Sequence, residues 1–169
     1  MTLLAHASKL VSSSLPVPAA WYAIPLRLVV GFGFMQHGYA KLARGPGHFI
    51  DILQAIGVPF PHLMGWATIL VELIGGFAVL VGAYVPLVSL PMAAVLLVAA
   101  LTVHLPYGFS SIKLLSVTAD GAQFGPPGYE TDLLYIACLV SLVLGGTGPF
   151  AVGWRPIGVR KVHTTLPRQ

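Results

Sequence analysis

The stretch LMGWATILVELIGGFAVLVGAYV (residues 63–85) decides the architecture of this chain. It is an apolar run long enough to cross a bilayer, with one carboxylate, Glu72, near its middle. A charge at the centre of a membrane helix costs about 2.5–3.5 kcal/mol on an insertion scale. Such a residue faces the interior of a bundle, takes a partner, and marks a pathway or a binding site. Gly75 and Gly76 follow it, and small residues let a second helix approach closely beside the acid.

Composition agrees with a membrane setting. Of the 169 residues, 56% are hydrophobic and 8% are charged. Soluble domains carry about 25% charged residues. Mean hydropathy is +0.85. Working outward from residues 63–85, further spans are expected over residues 21–42, 86–105 and 131–146. The expected fold is an all-α integral membrane protein, a four-transmembrane-helix bundle. Pro86 sets a tight antiparallel hairpin between the second and third spans, and Gly145–Pro149 stops the fourth. Residues 1–20 read as a retained N-terminal tail, 21–148 as the four-helix domain and 149–169 as a basic C-terminal tail.

Two loops stand out. Residues 43–62 contain Phe49, Ile52, Leu53 and Ile56 at helical spacing, too short to span, so a short interfacial helix is expected there. Residues 106–130 are rich in Gly, Ser and Pro and are expected to form a loop.

Orientation follows from Lys and Arg. The tails carry Lys9, Arg155, Arg160, Lys161 and Arg168, against Lys41, Arg44 and Lys113 on the other side. Both termini are therefore expected in the cytoplasm, in a bacterial inner membrane crossed several times. The basic residues are scattered among apolar spans, which argues against a nucleic-acid partner. The single Cys138 has no second cysteine for an internal disulfide or a CxxC redox pair and reads as a small buried hydrophobe.

The ionisable residues fall at recognisable depths at 1.5 Å per residue. His37, Lys41, His104, Glu130 and Asp132 belong to the outer half, Glu72 to the midplane, and Arg27 to the inner side, roughly 7–8 Å deep. Arg27 has three readings: the partner of Glu72, a side chain that snorkels to the inner interface, or a group that faces a ligand. Arg27, Gly31, Phe34, Gly38 and Lys41 repeat at 4-3-4-3 spacing and form a stripe expected to face the bundle. Glu130 and Asp132 open the fourth span, where acids complement the helix dipole. Tyr135, one turn further in, serves as packing or as a hydrogen-bond donor to a ligand. Two histidines can hold a haem iron, but no CxxCH or other cofactor signature accompanies His37 and His104, so a haem is disfavoured. No metal site is expected, because zinc needs three or four ligands that only chance packing would supply here.

These phrases together resemble a known family. RLVVGFGFMQHGYAKL, GVPFP, VELIGGFAVLVG, HLPYGF and GYETDLLYIACLVSLVLGGTGP occur in this order over residues 27–148. Their sequence and spacing resemble the DoxX/DoxD family of small four-helix bacterial membrane proteins. One departure is Phe150–Trp154, which stands where small residues and an Asp usually continue after the last Gly-Pro. The resemblance implies a membrane-embedded redox role, since DoxD-type members are similar to the membrane subunit of thiosulfate:quinone oxidoreductase. Carried over by motif, it marks Arg27, His37, Lys41, Glu72, His104 and Glu130.

The expected function is a membrane redox subunit that interacts with quinone and passes electrons from a partner or small donor to the quinone pool. Enzyme activity, if the chain has it, is that of a quinone-linked oxidoreductase subunit. Glu72, His37 and Lys41 are the candidate catalytic residues, and Arg27, His104, Glu130 and Tyr135 the candidate quinone-binding ones. Two other readings stand beside it: a non-enzymatic anchor or assembly factor for a redox partner protein, and a small proton-coupled carrier built as a homo-oligomer. In every reading the chain contacts membrane lipid.

Overall fold

A computed structural model describes residues 19–152. Residues 1–18 and 153–169, and with them most of the basic residues used to orient the chain, lie outside the described residues. A 3-10 turn (Ala19–Tyr22) leads into helix α1 (Ala23–Ala43), a short α2 (Pro46–Ala55), α3 (Pro61–Val81), α4 (Val85–Tyr107), a hairpin of β1 (Leu114–Thr118) and β2 (Gly121–Phe124), and α5 (Glu130–Gly145).

α3 and α4 are each long and apolar enough to cross a membrane. α1 has 21 residues but carries Arg27, His37 and Lys41, and α5 has 16 residues. The helices' outward faces are covered with exposed Leu, Val, Phe and Ile side chains, such as Val29, Phe32, Ile74, Leu90 and Leu144. Faces of this kind suit lipid rather than water. The short helix of the first loop runs Pro46–Ala55, three residues earlier at its start than the hydrophobic spacing indicated, because Pro46 at its first turn suits a helix N-terminus.

α1 is the organising helix. It packs against α3 along most of its length, and also against α5 and α2. Its buried residues are Ala23, Arg27, Val30, Gly31, Phe34 and Gly38, so the stripe of 4-3-4-3 spacing turns inward. Gly31 meets Gly76 of α3 backbone to backbone. A Cβ on Gly31 would lie 2.7 Å from the Gly76 carbonyl oxygen, and one on Gly76 would lie 2.8 Å from the Gly31 oxygen. Only glycine fits on either side of this crossing. Beside it, Val30, Phe34, Val79, Val85, Met92, Leu139 and Leu142 form the main core cluster.

Both long helices contain a widened π-helical turn, Val71–Gly75 in α3 and Ala100–His104 in α4. Such turns insert one residue into the helical register and often occur at functional sites. Here one holds Glu72 and the other ends on His104.

The expectation of an all-α chain is corrected by the hairpin. β1 and β2 pair antiparallel, with Thr118 opposite Gly121 and Leu114 opposite Phe124, within the stretch read as a loop. Every residue of both strands is exposed. The turn is Ala119-Asp120, and Gly121, which opens β2, has φ of 120°, a value that favours glycine. The backbone on either side is tied to α5, with the Gly128 N–H donating to Ser110 O and the Glu130 N–H to Phe109 O.

Candidate functional site

Lys41 and Glu72 meet at the heart of the site. The Lys41 ammonium donates to both carboxylate oxygens of Glu72, at 2.7 and 2.6 Å. Glu72 is 5% exposed, and the Lys41 side chain is 19% exposed. Gly38 makes the meeting possible: a Cβ there would lie 3.1 Å from Glu72 Cβ and 2.8 Å from Leu73 Cγ. The stem of Lys41 therefore passes down α1 to a carboxylate on the adjoining helix. On its other side the ammonium lies 4.9 Å from the centre of the Phe49 ring of α2, a cation–π contact.

The pairing of Arg27 with Glu72 is corrected. The Arg27 guanidinium is saturated by backbone carbonyls. Nη1 donates to Thr147 O and Pro149 O, both at 3.0 Å. Nη2 donates to Leu80 O at 2.9 Å and Phe150 O at 3.4 Å, and Nε donates to Leu80 O at 3.2 Å. This cation caps the last turn of α3, where the helix dipole favours positive charge, and ties down the chain that follows α5. Gly82 makes room for it, with φ of 73° and a would-be Cβ only 3.0 Å from Arg27 Cζ. Lys41 prevails over Arg27 because it reaches Glu72 along a glycine-lined crossing, whereas Arg27 finds carbonyls nearer at hand.

A second polar pair faces the first. His104 Nδ1 lies 2.5 Å from Asp132 Oδ2. The carboxylate accepts, so Nδ1 carries the proton and Nε2 is left free for another partner. Asp132 is 5% exposed and sits in the first turn of α5.

Both pairs line one cavity of about 440 Å³ between α1, α3, α4 and α5. His37 and Tyr135 also line it, together with Phe34, Val95 and Thr131. The Tyr135 ring packs edge-on against Phe34, with centroids 5.7 Å apart. Its hydroxyl overlies Gly33, where a Cβ would collide with it. The cavity volume falls within the ~300–1,000 Å³ usual for small-molecule sites.

Of the seven residues singled out from sequence, five line this cavity: His37, Lys41, Glu72, His104 and Tyr135. Arg27 and Glu130 do not. The Glu130 carboxylate accepts the Ser111 N–H at 2.9 Å and so fastens the 106–130 segment to the start of α5. Asp132, read from the sequence as an acid that complements the helix dipole, also lines the cavity. Its place in a helix's first turn offered a sufficient explanation, although it shared a depth with His104. Among the described residues no three His, Cys, Asp or Glu side chains are grouped to hold a metal ion.

A profile of the DoxX family matches residues 22–105. The chain belongs to the DoxX family. The matched segment of this DoxX protein runs from the last residue of the 3-10 turn into α4 and includes Lys41, Glu72 and His104. Asp132 and Tyr135, on α5, lie beyond it. Comparison with curated proteins and with solved structures gives no match to the chain.

Proposed function

We propose that this DoxX protein is a membrane-embedded redox subunit that binds a quinone head group in the cavity between α1, α3, α4 and α5. The observation that carries the reading is the presence of two polar pairs, Lys41–Glu72 and His104–Asp132, on the wall of one chamber whose remaining lining, apart from His37, Thr131 and Tyr135, is apolar. A quinone ring needs flat apolar surfaces and a proton donor near its carbonyl oxygens. Phe34, Val95 and Leu96 supply the surfaces; the donors are the Lys41 ammonium and the Nε2–H that His104 carries in its doubly protonated, imidazolium form. Reduction to the quinol takes up two electrons and two protons. The chain has no dithiol pair, so the electrons come from a reductant outside it, a partner redox protein or a small soluble donor.

In this reading α1 and α5 join α3 and α4 as spans of a four-helix unit. At 1.5 Å per residue the 21 residues of α1 extend about 31 Å, the thickness of a hydrocarbon core. The tail-side Lys and Arg residues favour cytoplasmic termini in a bacterial inner membrane.

The test is quinone extraction from the purified protein, together with quinol-coupled turnover of Glu72→Gln, His37→Ala and His104→Gln. Bound quinone in the parent and a loss of turnover in the variants support the reading. Variants that all turn over like the parent overturn it and leave the anchor reading in front. One observation favours that second reading: Ile112, Leu115, Val117 and Phe124 of the hairpin region project apolar side chains outside the bundle, a surface suited to a partner protein.

A further inference from the structure

The Lys41–Glu72 pair is a wall with two sides. One side faces the polar cavity. The other faces a second hollow of about 330 Å³ between α2, α3 and α4. Its lining is apolar, with Phe49, Ile52, Ile56, Met64, Pro91 and Val98 among its walls. Apart from the ion pair, only Thr68 and Thr102 bring polar side chains to it. The two hollows adjoin: Lys41, Glu72, Val95 and Ala99 line both.

We propose that the second hollow seats the hydrocarbon chain of the ligand whose polar head occupies the first, and that this ligand enters sideways from lipid between α2 and α4. The inference rests on the quinone reading and narrows it to quinones that carry a long chain. Size selects a single chain. At about 30 Å³ per water-sized group the hollow takes on the order of ten such groups, whereas a helix with its side chains is about 10–12 Å across. The hollow's own sequence keeps it open. Ala67, Ala94 and Ala99 leave its walls short, and Pro91 stands inside α4, where it removes a backbone hydrogen bond. The opening is lateral: Ile52, Ile56, Met64 and Val98 are exposed on the outer faces of α2, α3 and α4. Lipid tails are as apolar as these walls, so the hollow gains little hydrophobic energy from a chain. Its contribution is orientation, holding the chain so that the attached head lies beside Lys41 and Glu72.

The experiment compares two probes on the full chain in phosphatidylcholine nanodiscs: a benzoquinone with a ten-carbon alkyl chain and the same ring without it. Ala94→Phe and Ala67→Phe fill the second hollow, and neither residue lines the first. Ala94 is exposed, so its variant folds, and a thermal scan checks this. The expected result is an affinity loss of about tenfold for the long-chain probe, the equivalent of about 1.4 kcal/mol, with the chainless probe unchanged. If both variants bind both probes like the parent, or lose both equally, the hollow is not a chain seat and the quinone reading still stands. If the parent binds neither probe, the quinone reading falls and this inference falls with it.

Discussion

Lys41 Nζ contacts both carboxylate oxygens of Glu72, at 2.7 and 2.6 Å, across the point where α1 and α3 touch through Gly38. Neither charge is affordable alone at this depth. Removing one partner of a buried pair leaves an uncompensated ion and costs about 3–5 kcal/mol, whereas replacing both with apolar groups of similar volume is often neutral or stabilising. Glu72→Ala is therefore expected to lower the thermal midpoint in detergent sharply. The double variant Lys41→Met, Glu72→Leu should return it to the parent value or above while abolishing turnover. A Glu72→Ala protein as stable as the parent would show that the pair is not closed in the folded chain.

Arg27 serves the fold by another route. Its guanidinium joins the last turn of α3 to residues 147–150 through carbonyls of both segments. Arg27→Met leaves these acceptors without their donor and is expected to cost about 1.5–3 kcal/mol, the usual worth of a hydrogen bond to a charged group. Arg27→Lys should recover only part of this, because one ammonium cannot reproduce a planar fork. The check is local as well as global. A cysteine placed at Thr147 in a Cys138→Ser background should react faster with a maleimide when Arg27 is replaced, and equal rates would remove the clamp from the account.

Topology gives a third expectation. With the four spans and cytoplasmic termini proposed above, the hairpin is expected outside the cell and the tail inside. In the Cys138→Ser background, a cysteine at Ser116 should be labelled by a membrane-impermeant reagent on intact cells. One at Arg168 should be labelled only after permeabilisation. The reverse pattern inverts the orientation, and labelling of both positions from outside rules out the four-span arrangement.

The parts of the fold legible in the sequence were those written in apolar length and helical period. The runs behind α3 and α4 and the inward stripe of α1 follow directly from residues at the expected spacing. The hairpin was hidden by the Gly, Ser and Pro around it, although Ala119-Asp120-Gly121, a short Gly-containing break between LLSVT and AQF, is a hairpin signal. The partner of Glu72 was not legible, because depth along separate helices does not say which side chain has an unobstructed path. That depended on Gly38, whose missing side chain matters only once α1 and α3 are in contact. Asp132 was visible as a helix-opening acid, but its contact with His104 arises from the packing of α4 on α5.

The His104–Asp132 pair yields the sharpest prediction. With Nδ1 held by the carboxylate, Nε2 of His104 is the atom available to a ligand in the cavity. If His104, as an imidazolium protonated at both ring nitrogens, transfers its Nε2 proton to a bound quinone, its removal should slow turnover by about 10²-fold or more, the usual worth of a general acid. His104→Gln retains a donor toward Asp132, so the buried carboxylate keeps its partner and the fold stands. Asp132→Asn keeps the hydrogen bond and removes the charge, and its effect on turnover should be smaller, about tenfold. The measurement that separates chemistry from packing is the split between quinone affinity and turnover, read beside a thermal scan. Both variants should bind quinone within a few-fold of the parent and unfold close to its midpoint while kcat falls. Affinity and stability that fall together, with kcat of the remaining folded protein unchanged, would assign the pair to holding α4 against α5 and nothing more.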